Sequence, residues 1–174
     1  TVAHMNLDAF VRTVPGFPKA GILFRDITPL LSDPAAFREA VAAMAAPVAT
    51  LQATHVMGIE SRGFIFGAAL AQKLSLGFVP ARKPGKLPRE SFRQDYGLEY
   101  GTDGLEIHRD AFKAGDRVLI VDDVLATGGT AAAARALVEQ SGAQAVALTL
   151  FIELGDLPGR DKLAGLPVFS VLRY

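Results

Sequence analysis

The sequence predicts an α/β fold, a twisted parallel sheet flanked by helices, and three observations carry that prediction. Short apolar runs at 55–59, 77–81, 117–121, 145–152 and 168–172 alternate with helical stretches. These runs are nearly continuous in apolar residues, as strands covered on both faces are. Polar groups stand at their carboxyl ends, at Glu60-Ser61-Arg62-Gly63, Arg82-Lys83 and Asp122-Asp123, where open parallel sheets bind ligands.

Taken in order, a short helix over 6–11 has no role that the residues suggest. Next, Val14-Pro15-Gly16-Phe17-Pro18-Lys19-Ala20-Gly21 is dense in turn-formers and leads into the apolar stretch 22–27. Residues 1–33 read as a small N-terminal hood. The stretch 35–46 is rich in Ala, with Phe37, Val41 and Met44 at helical spacing and Asp33-Pro34 as its start. Strand 55–59 precedes a helix at 63–74, which leads to strand 77–81. Strand 117–121 is the clearest, following the turn Lys113-Ala114-Gly115-Asp116. A helix over 129–140 ends at Ser141-Gly142, with glycine where a C-terminal cap places it. Between these elements, 83–110 is polar and broken by Pro84, Gly85, Pro88, Gly97, Gly101 and Gly104. So long an excursion within one domain predicts a flexible functional flap.

Composition sets the outer limits. The 174 residues suit one domain over 1–174, and 50% hydrophobic with 21% charged residues excludes global disorder. Lys plus Arg and Asp plus Glu both total 18, so no general attraction to nucleic acid or an anionic membrane is expected. With no cysteine, disulfides, thiolate nucleophiles and Cys-based metal sites are excluded. That is compatible with a reducing cytoplasm. Residues 1–10 lack the pattern of a secretory signal, and no apolar run approaches the roughly 20 residues of a membrane-spanning helix. A soluble, cytoplasmic protein is the expectation.

One segment carries the chemistry: Val118-Leu119-Ile120-Val121-Asp122-Asp123-Val124-Leu125-Ala126-Thr127-Gly128-Gly129-Thr130. An apolar strand reaches two carboxylates, and a loop of small residues then opens a helix. Gly128 and Gly129 admit a ligand close to the backbone, and free N–H groups at a helix start favour an anion. Thr127 and Thr130 add hydroxyl donors, and no carboxylate inside the loop repels a phosphate. Asp122 and Asp123 suit hydroxyls or a hydrated divalent cation. Ribose 5-phosphate, a phosphate beside a diol, satisfies both halves. A plain tight turn capped by aspartates is the bland alternative, and it leaves Ala-Thr-Gly-Gly-Thr unexplained. The loop has neither the Gly-Lys-Ser/Thr ending of a nucleoside-triphosphate loop nor a Gly-x-Gly-x-x-Gly pattern.

This segment, 117–141 with its flanks, resembles the phosphoribosyl-binding motif of the type I phosphoribosyltransferases. Four more segments resemble the adenine-specific members of that family: Phe24-Arg25-Asp26-Ile27-Thr28-Pro29, Glu60-Ser61-Arg62-Gly63-Phe64, Arg82-Lys83-Pro84-Gly85-Lys86-Leu87-Pro88 and Leu98-Glu99-Tyr100-Gly101. Their order matches too, and the resemblance covers nearly the whole chain. It implies transfer of 5-phosphoribosyl from 5-phosphoribosyl-1-diphosphate to adenine, giving AMP and diphosphate, with Mg²⁺ and in a homodimer. By resemblance, Asp122 and Asp123 meet the ribose hydroxyls and assist the metal indirectly, and Ala126, Thr127, Gly128, Gly129 and Thr130 hold the 5-phosphate.

Ser61, Arg62, Arg82, Lys83 and Lys86 fall to the diphosphate, with Arg82 a candidate to act from a neighbouring subunit. Glu99, with Arg62 and Lys83, falls to catalysis: a carboxyl on a closing lid, hinged by Gly97 and Gly101, exchanges the proton of the base. By the same resemblance, Leu23 and Arg25 are expected to read the base through backbone groups, with Phe24 and Leu154 covering its faces, although either suits ordinary core equally well. His4, His55 and His108 lack partners at ligand or triad spacing and read as structural or exposed. Two alternatives stay open: a phosphoribosyltransferase for another base such as xanthine, and a non-catalytic regulator that senses the activated sugar.

Overall fold

In the computed structural model, which describes residues 4–98 and 101–174, the chain parts into two units, Thr1–Ala43 and Met44–Tyr174. In the first, a 3-10 turn at Leu7–Phe10 stands where a short helix was expected. It precedes β1 (Arg12–Pro15) and β2 (Leu23–Asp26), which pair antiparallel. Gly16 takes a φ of +74° at the turn, and its N–H donates to the Ile22 carbonyl at 2.7 Å. That hydrogen-bonded pair sets the alternation along the ladder. Phe24 and Asp26 bond to β1, while the N–H and C=O of Leu23 and Arg25 point away from it. The Asp26 carboxylate then accepts the N–H and hydroxyl of Thr28 at 2.9 and 2.7 Å, opening α1 (Thr28–Ser32). Asp33 caps α2 (Pro34–Ala45) through the N–H groups of Ala35 and Ala36, at 3.0 and 2.8 Å.

The second unit is a five-stranded parallel sheet. In chain order come β3 (His55–Ile59), α3 (Arg62–Leu74), β4 (Gly77–Ala81), β5 (Ser91–Leu98) and β6 (Gly101–His108). β7 (Arg117–Leu125), α4 (Gly129–Gln140), β8 (Gln144–Glu153) and β9 (Val168–Arg173) complete it. The strand order β4-β3-β7-β8-β9 puts β7, whose end carries both aspartates, at the centre. Val118, Ile120, Leu148, Leu150, Leu137 and Met57 share the core beneath it, all fully buried. Phe66 stacks on Phe151 with ring centroids 5.6 Å apart. Gly142, at φ +86°, closes α4 as the sequence predicts.

Two elements differ from expectation. β7 does not stop at Val121 but runs through both aspartates, because Val124 and Leu125 continue the ladder against Ile152 and Glu153. The excursion 83–110 holds a regular antiparallel hairpin, β5 on β6, with Leu105 and Ile107 buried in the core and Phe92 packed against it. Gly97 and Gly101, expected as hinges, sit inside its paired strands.

The start of α3 is set by a close approach of helix to sheet. A Cβ on Gly67 would lie 2.9 Å from the Phe78 ring and 3.3 Å from the Gly58 Cα, and one on Gly58 would lie 2.7 Å from Phe78. Gly58→Ala is therefore expected to lower stability by about 1–2 kcal/mol through overpacking. A reduced urea midpoint at constant slope is the confirming result, and an unchanged midpoint would show that the contact is slack.

Candidate active site

After Leu125 the chain turns through Ala126, Thr127 and Gly128 into α4. Gly128, at φ +85°, is the N-cap and, as a glycine, offers the first turn no side-chain cap. The first helical bond is Ala132 N–H to the Gly128 carbonyl, 2.9 Å, so the N–H groups before Ala132 have no acceptor within the helix. Ala126 to Thr130 line a small cavity of about 80 Å³ with Asp122, Leu125, Leu148 and Leu150 behind it. The local sequence explains this geometry: small residues and a left-handed glycine keep the backbone bare.

Beside the loop opens a larger cleft of about 590 Å³, lined among others by Ser61, Arg62, Lys83, Lys86, Asp122 and Asp123. Ala126 and Thr130 line both spaces. Arg62, the first residue of α3, donates through Nε to Asp123 Oδ2. Gly63 lies directly on the other acid: a Cβ there would be 2.9 Å from Asp122 Oδ1 and 3.0 Å from the Val121 carbonyl. Burial pushes the Asp122 carboxyl well above the usual carboxylate range, and the adjacent Asp123 charge adds to that. Asp122 Oδ1 also accepts the Asp123 N–H at 2.8 Å.

The cations of the cleft are held by carboxylates. Glu60, its side chain 9% exposed, accepts Lys83 N–H and Lys86 Nζ at 2.5 Å each and Arg82 Nη2 at 3.3 Å. Burial works to raise the Glu60 carboxyl, but the Lys83 N–H, Lys86 and Arg82 outweigh it, and it lies below the ordinary value. Lys83 Nζ turns onto the hairpin, where it donates to Asp103 Oδ2 and, at 2.8 Å, to the Tyr96 hydroxyl. Burial opposes the Lys83 charge most strongly, but the bonds and charges of Asp103 and Tyr96 together outweigh it, and the ammonium is stabilised. Asp103 is lowered chiefly by that same bond.

The structure thus gathers Ser61, Arg62, Lys83, Lys86, Asp122, Asp123 and the loop 126–130 around adjoining spaces. Arg82 is not on the cleft wall. It bridges to Glu106 through its backbone, and its Nε is buried without a partner. Glu99 and Tyr100 lie outside the described residues. Leu23, Phe24 and Arg25 stand on β2 in the first unit, where Phe24 meets Phe17 edge to face at 5.1 Å. Leu154 follows β8, its N–H on the Leu125 carbonyl at 2.9 Å. Among the described residues no cluster of three or more His, Asp or Glu side chains forms a metal site, and no helix is long and apolar enough to cross a membrane. Sequence reasoning missed Asp103 and Tyr96, which receive Lys83, and the anchoring part of Glu60. Cross-strand alternation along 91–98 is the signal that could have placed Tyr96 inward.

Residues 29–164 match the phosphoribosyl transferase domain. The chain is 58% identical to the adenine phosphoribosyltransferase of Carboxydothermus hydrogenoformans over 170 residues, 98% of this chain and 100% of that one. The adenine phosphoribosyltransferase structure from Rhodothermus marinus shares 52% identity at a TM-score of 0.92, covering 97% of this chain and 96% of its own. The Saccharomyces cerevisiae enzyme, complexed with D-2,5-dideoxy-2,5-imino-altritol 1,6-bisphosphate and adenine, shares 43% identity at a TM-score of 0.90. That match covers 95% of this chain and 96% of the yeast one.

The Glu60 cluster generates a pH prediction. Because its folded pKa is depressed, its contribution is complete above the unfolded value of 4.5 and lost as pH falls toward the lower folded value. Glu60→Gln is expected to lower stability by about 1–2 kcal/mol at pH 7, less than for a fully buried pair because Arg82 and Lys86 reach solvent. It also makes the decline in urea midpoint below pH 4.5 shallower than in wild type. Parallel curves for the two proteins would contradict the assigned ion pairs.

Proposed function

The chain belongs to the phosphoribosyltransferase family, and from that premise we propose that it transfers 5-phosphoribosyl from 5-phosphoribosyl-1-diphosphate to adenine, giving AMP and diphosphate. One observation carries the reading beyond likeness. Two adjoining spaces bring an uncapped helix start and two acids together with the 60–62 loop and Lys86. A sugar with a phosphate at one end, a diol between and a diphosphate at the other needs that order of partners.

The helix start at 128–130 binds the 5-phosphate through backbone N–H groups and the hydroxyls of Thr127 and Thr130. Asp122 and Asp123 accept from the ribose hydroxyls. Ser61, Arg62, Lys83 and Lys86 stabilise charge on the departing diphosphate as C1′ becomes cationic. For this, Arg62 and Lys86 exchange a carboxylate partner for the leaving group.

Mg²⁺, when bound, neutralises the diphosphate. The donor set fits a cation held mainly by substrate oxygens: Asp122 and Asp123 are only two carboxylates, one engaged by Arg62. Leu23 and Arg25 read adenine through backbone groups directed away from β1, with Phe24 and Leu154 assigned to its faces. Glu99 exchanges the base proton on the flap. A cytoplasmic homodimer, with Arg82 serving the neighbouring subunit, belongs to the same proposal.

Incubation with the activated sugar, Mg²⁺ and each base in turn tests the reaction. Adenine is expected to exceed hypoxanthine, guanine and xanthine by at least about 100-fold in kcat/KM, since the wrong edge leaves buried polar groups unmatched. Comparable rates with another base would overturn the assignment. The double substitution Asp122→Asn, Asp123→Asn is expected to lower kcat/KM by at least about 1,000-fold with the circular dichroism spectrum retained. Glu99→Gln should lower kcat by about 100-fold or more with little change in the KM for adenine; a kcat within twofold of wild type would remove Glu99 from the chemistry.

A further inference from the structure

The loop that opens α4 leans on a segment no local motif marks. Gly128 and Gly159 meet backbone to backbone: a Cβ on Gly128 would lie 2.3 Å from the Gly159 carbonyl oxygen. A Cβ on Gly159 would lie 2.5 Å from the Ala126 carbonyl oxygen and 2.8 Å from Leu125. Neither position tolerates a side chain without moving the loop. Gly159 opens a 3-10 turn, Gly159–Leu163, in the connection between β8 and β9.

Next to Gly159, Arg160 grips Glu153 with two parallel bonds, Nε to Oε1 at 2.7 Å and Nη2 to Oε2 at 2.8 Å. Its remaining nitrogen, Nη1, reaches the Val168 carbonyl at 3.2 Å. The Ser170 hydroxyl donates to Glu153 Oε2 at 2.8 Å. The Glu153 side chain is 5% exposed at the last residue of β8, opposite Leu125 in the ladder. Arg160, and then Ser170, hold the Glu153 carboxyl down at about 2 against the effect of burial, so the fork is intact throughout the neutral range. Residues 148–153 are already laddered to β7 and β9, so the sheet does not need the fork. The turn carrying Gly159 is tied to the sheet at its start by the fork, and farther along by buried Leu163 and the Arg135 bond to the Ala164 carbonyl.

We propose that the Arg160–Glu153 fork positions the phosphate-binding loop, holding Gly159 as the backbone wall against which Ala126 and Gly128 are set. Arg160 is a positioning residue for the sugar 5-phosphate and touches no substrate. The inference rests on the reading that residues 126–130 hold that phosphate. Losing the fork lets the 154–163 turn withdraw from the end of β7, and the N–H groups at the helix start lose their fixed aim. The effect should fall on the sugar phosphate and spare the base.

The test uses full-length Arg160→Ala, Arg160→Lys and Gly159→Ala, with ribose 5-phosphate titrated calorimetrically and steady-state kinetics on adenine and the activated sugar. Arg160→Ala is expected to weaken ribose 5-phosphate binding and raise the KM for the activated sugar by about tenfold, the scale of one charged hydrogen-bond pair. The KM for adenine and kcat stay within about threefold. Arg160→Lys recovers only part, because an ammonium cannot form the fork. Gly159→Ala, with the fork intact but the wall displaced, shows the same selective loss.

A lowered melting temperature with ribose 5-phosphate affinity unchanged overturns the proposal, as does an equal loss in both KM values and kcat. Should Arg160→Ala not fold, Gly159→Ala decides alone, and unchanged affinity there is refuting. Wild type that turns over adenine beside variants of unchanged KM refutes the brace and leaves the activity standing. Wild type that neither binds ribose 5-phosphate nor turns over refutes both.

Discussion

An anion held by peptide N–H groups needs those groups uncovered and fixed in direction, and that requirement governs the carboxyl edge of this sheet. The strand that supplies the site, β7, is central and fully buried from Val118 to Val121, so its end is among the least mobile points available. Gly128 takes a left-handed φ that turns the chain into α4 with no side-chain cap on its N–H groups, and the Tyr96 ring lies against Gly129. Small residues on the near side and the Gly159 backbone on the far side complete the enclosure. Each glycine is there because a Cβ would stand where backbone must pass.

Around that neutral cradle, charge is arranged in compensated pairs. Arg62 rests on Asp123, Lys86 and Arg82 on Glu60, and Lys83 on Asp103 with Tyr96. On the proposed reading, a diphosphate would meet cations already in place, and binding would replace one anionic partner with another. The desolvation of Arg62 and Lys83 is met during folding by the protein's own carboxylates. Lys83 also ties the segment after β4 to the β5–β6 hairpin through Asp103 and Tyr96.

Much of this was legible in the residues. Strands 55–59 and 77–81 and helix 129–140 carry the expected bounds, because apolar runs end there at turn-formers or glycine. The carboxylates and small-residue loop announced an anion-and-diol site, and the sheet places them beside Arg62 as strand-end geometry requires. The end of β7 was misjudged because two charged residues look like an exit; cross-strand pairing to Ile152 and Glu153 outweighs that local cue. The hairpin was hidden by its glycines and by the prolines just before it, although Phe92, Gln94 and Tyr96 alternate inward. Glu60, Asp103, Gly159 and Arg160 escaped notice because their partners lie 7 to 34 residues away, beyond any local pattern.

A crystal structure with ribose 5-phosphate and diphosphate tests the central claim most directly. The account predicts phosphate oxygens within hydrogen-bonding distance of the N–H groups at 128–130, the ribose hydroxyls on Asp122 and Asp123, and the diphosphate against Arg62. A sugar phosphate seated elsewhere, with that helix start holding nothing, would contradict it.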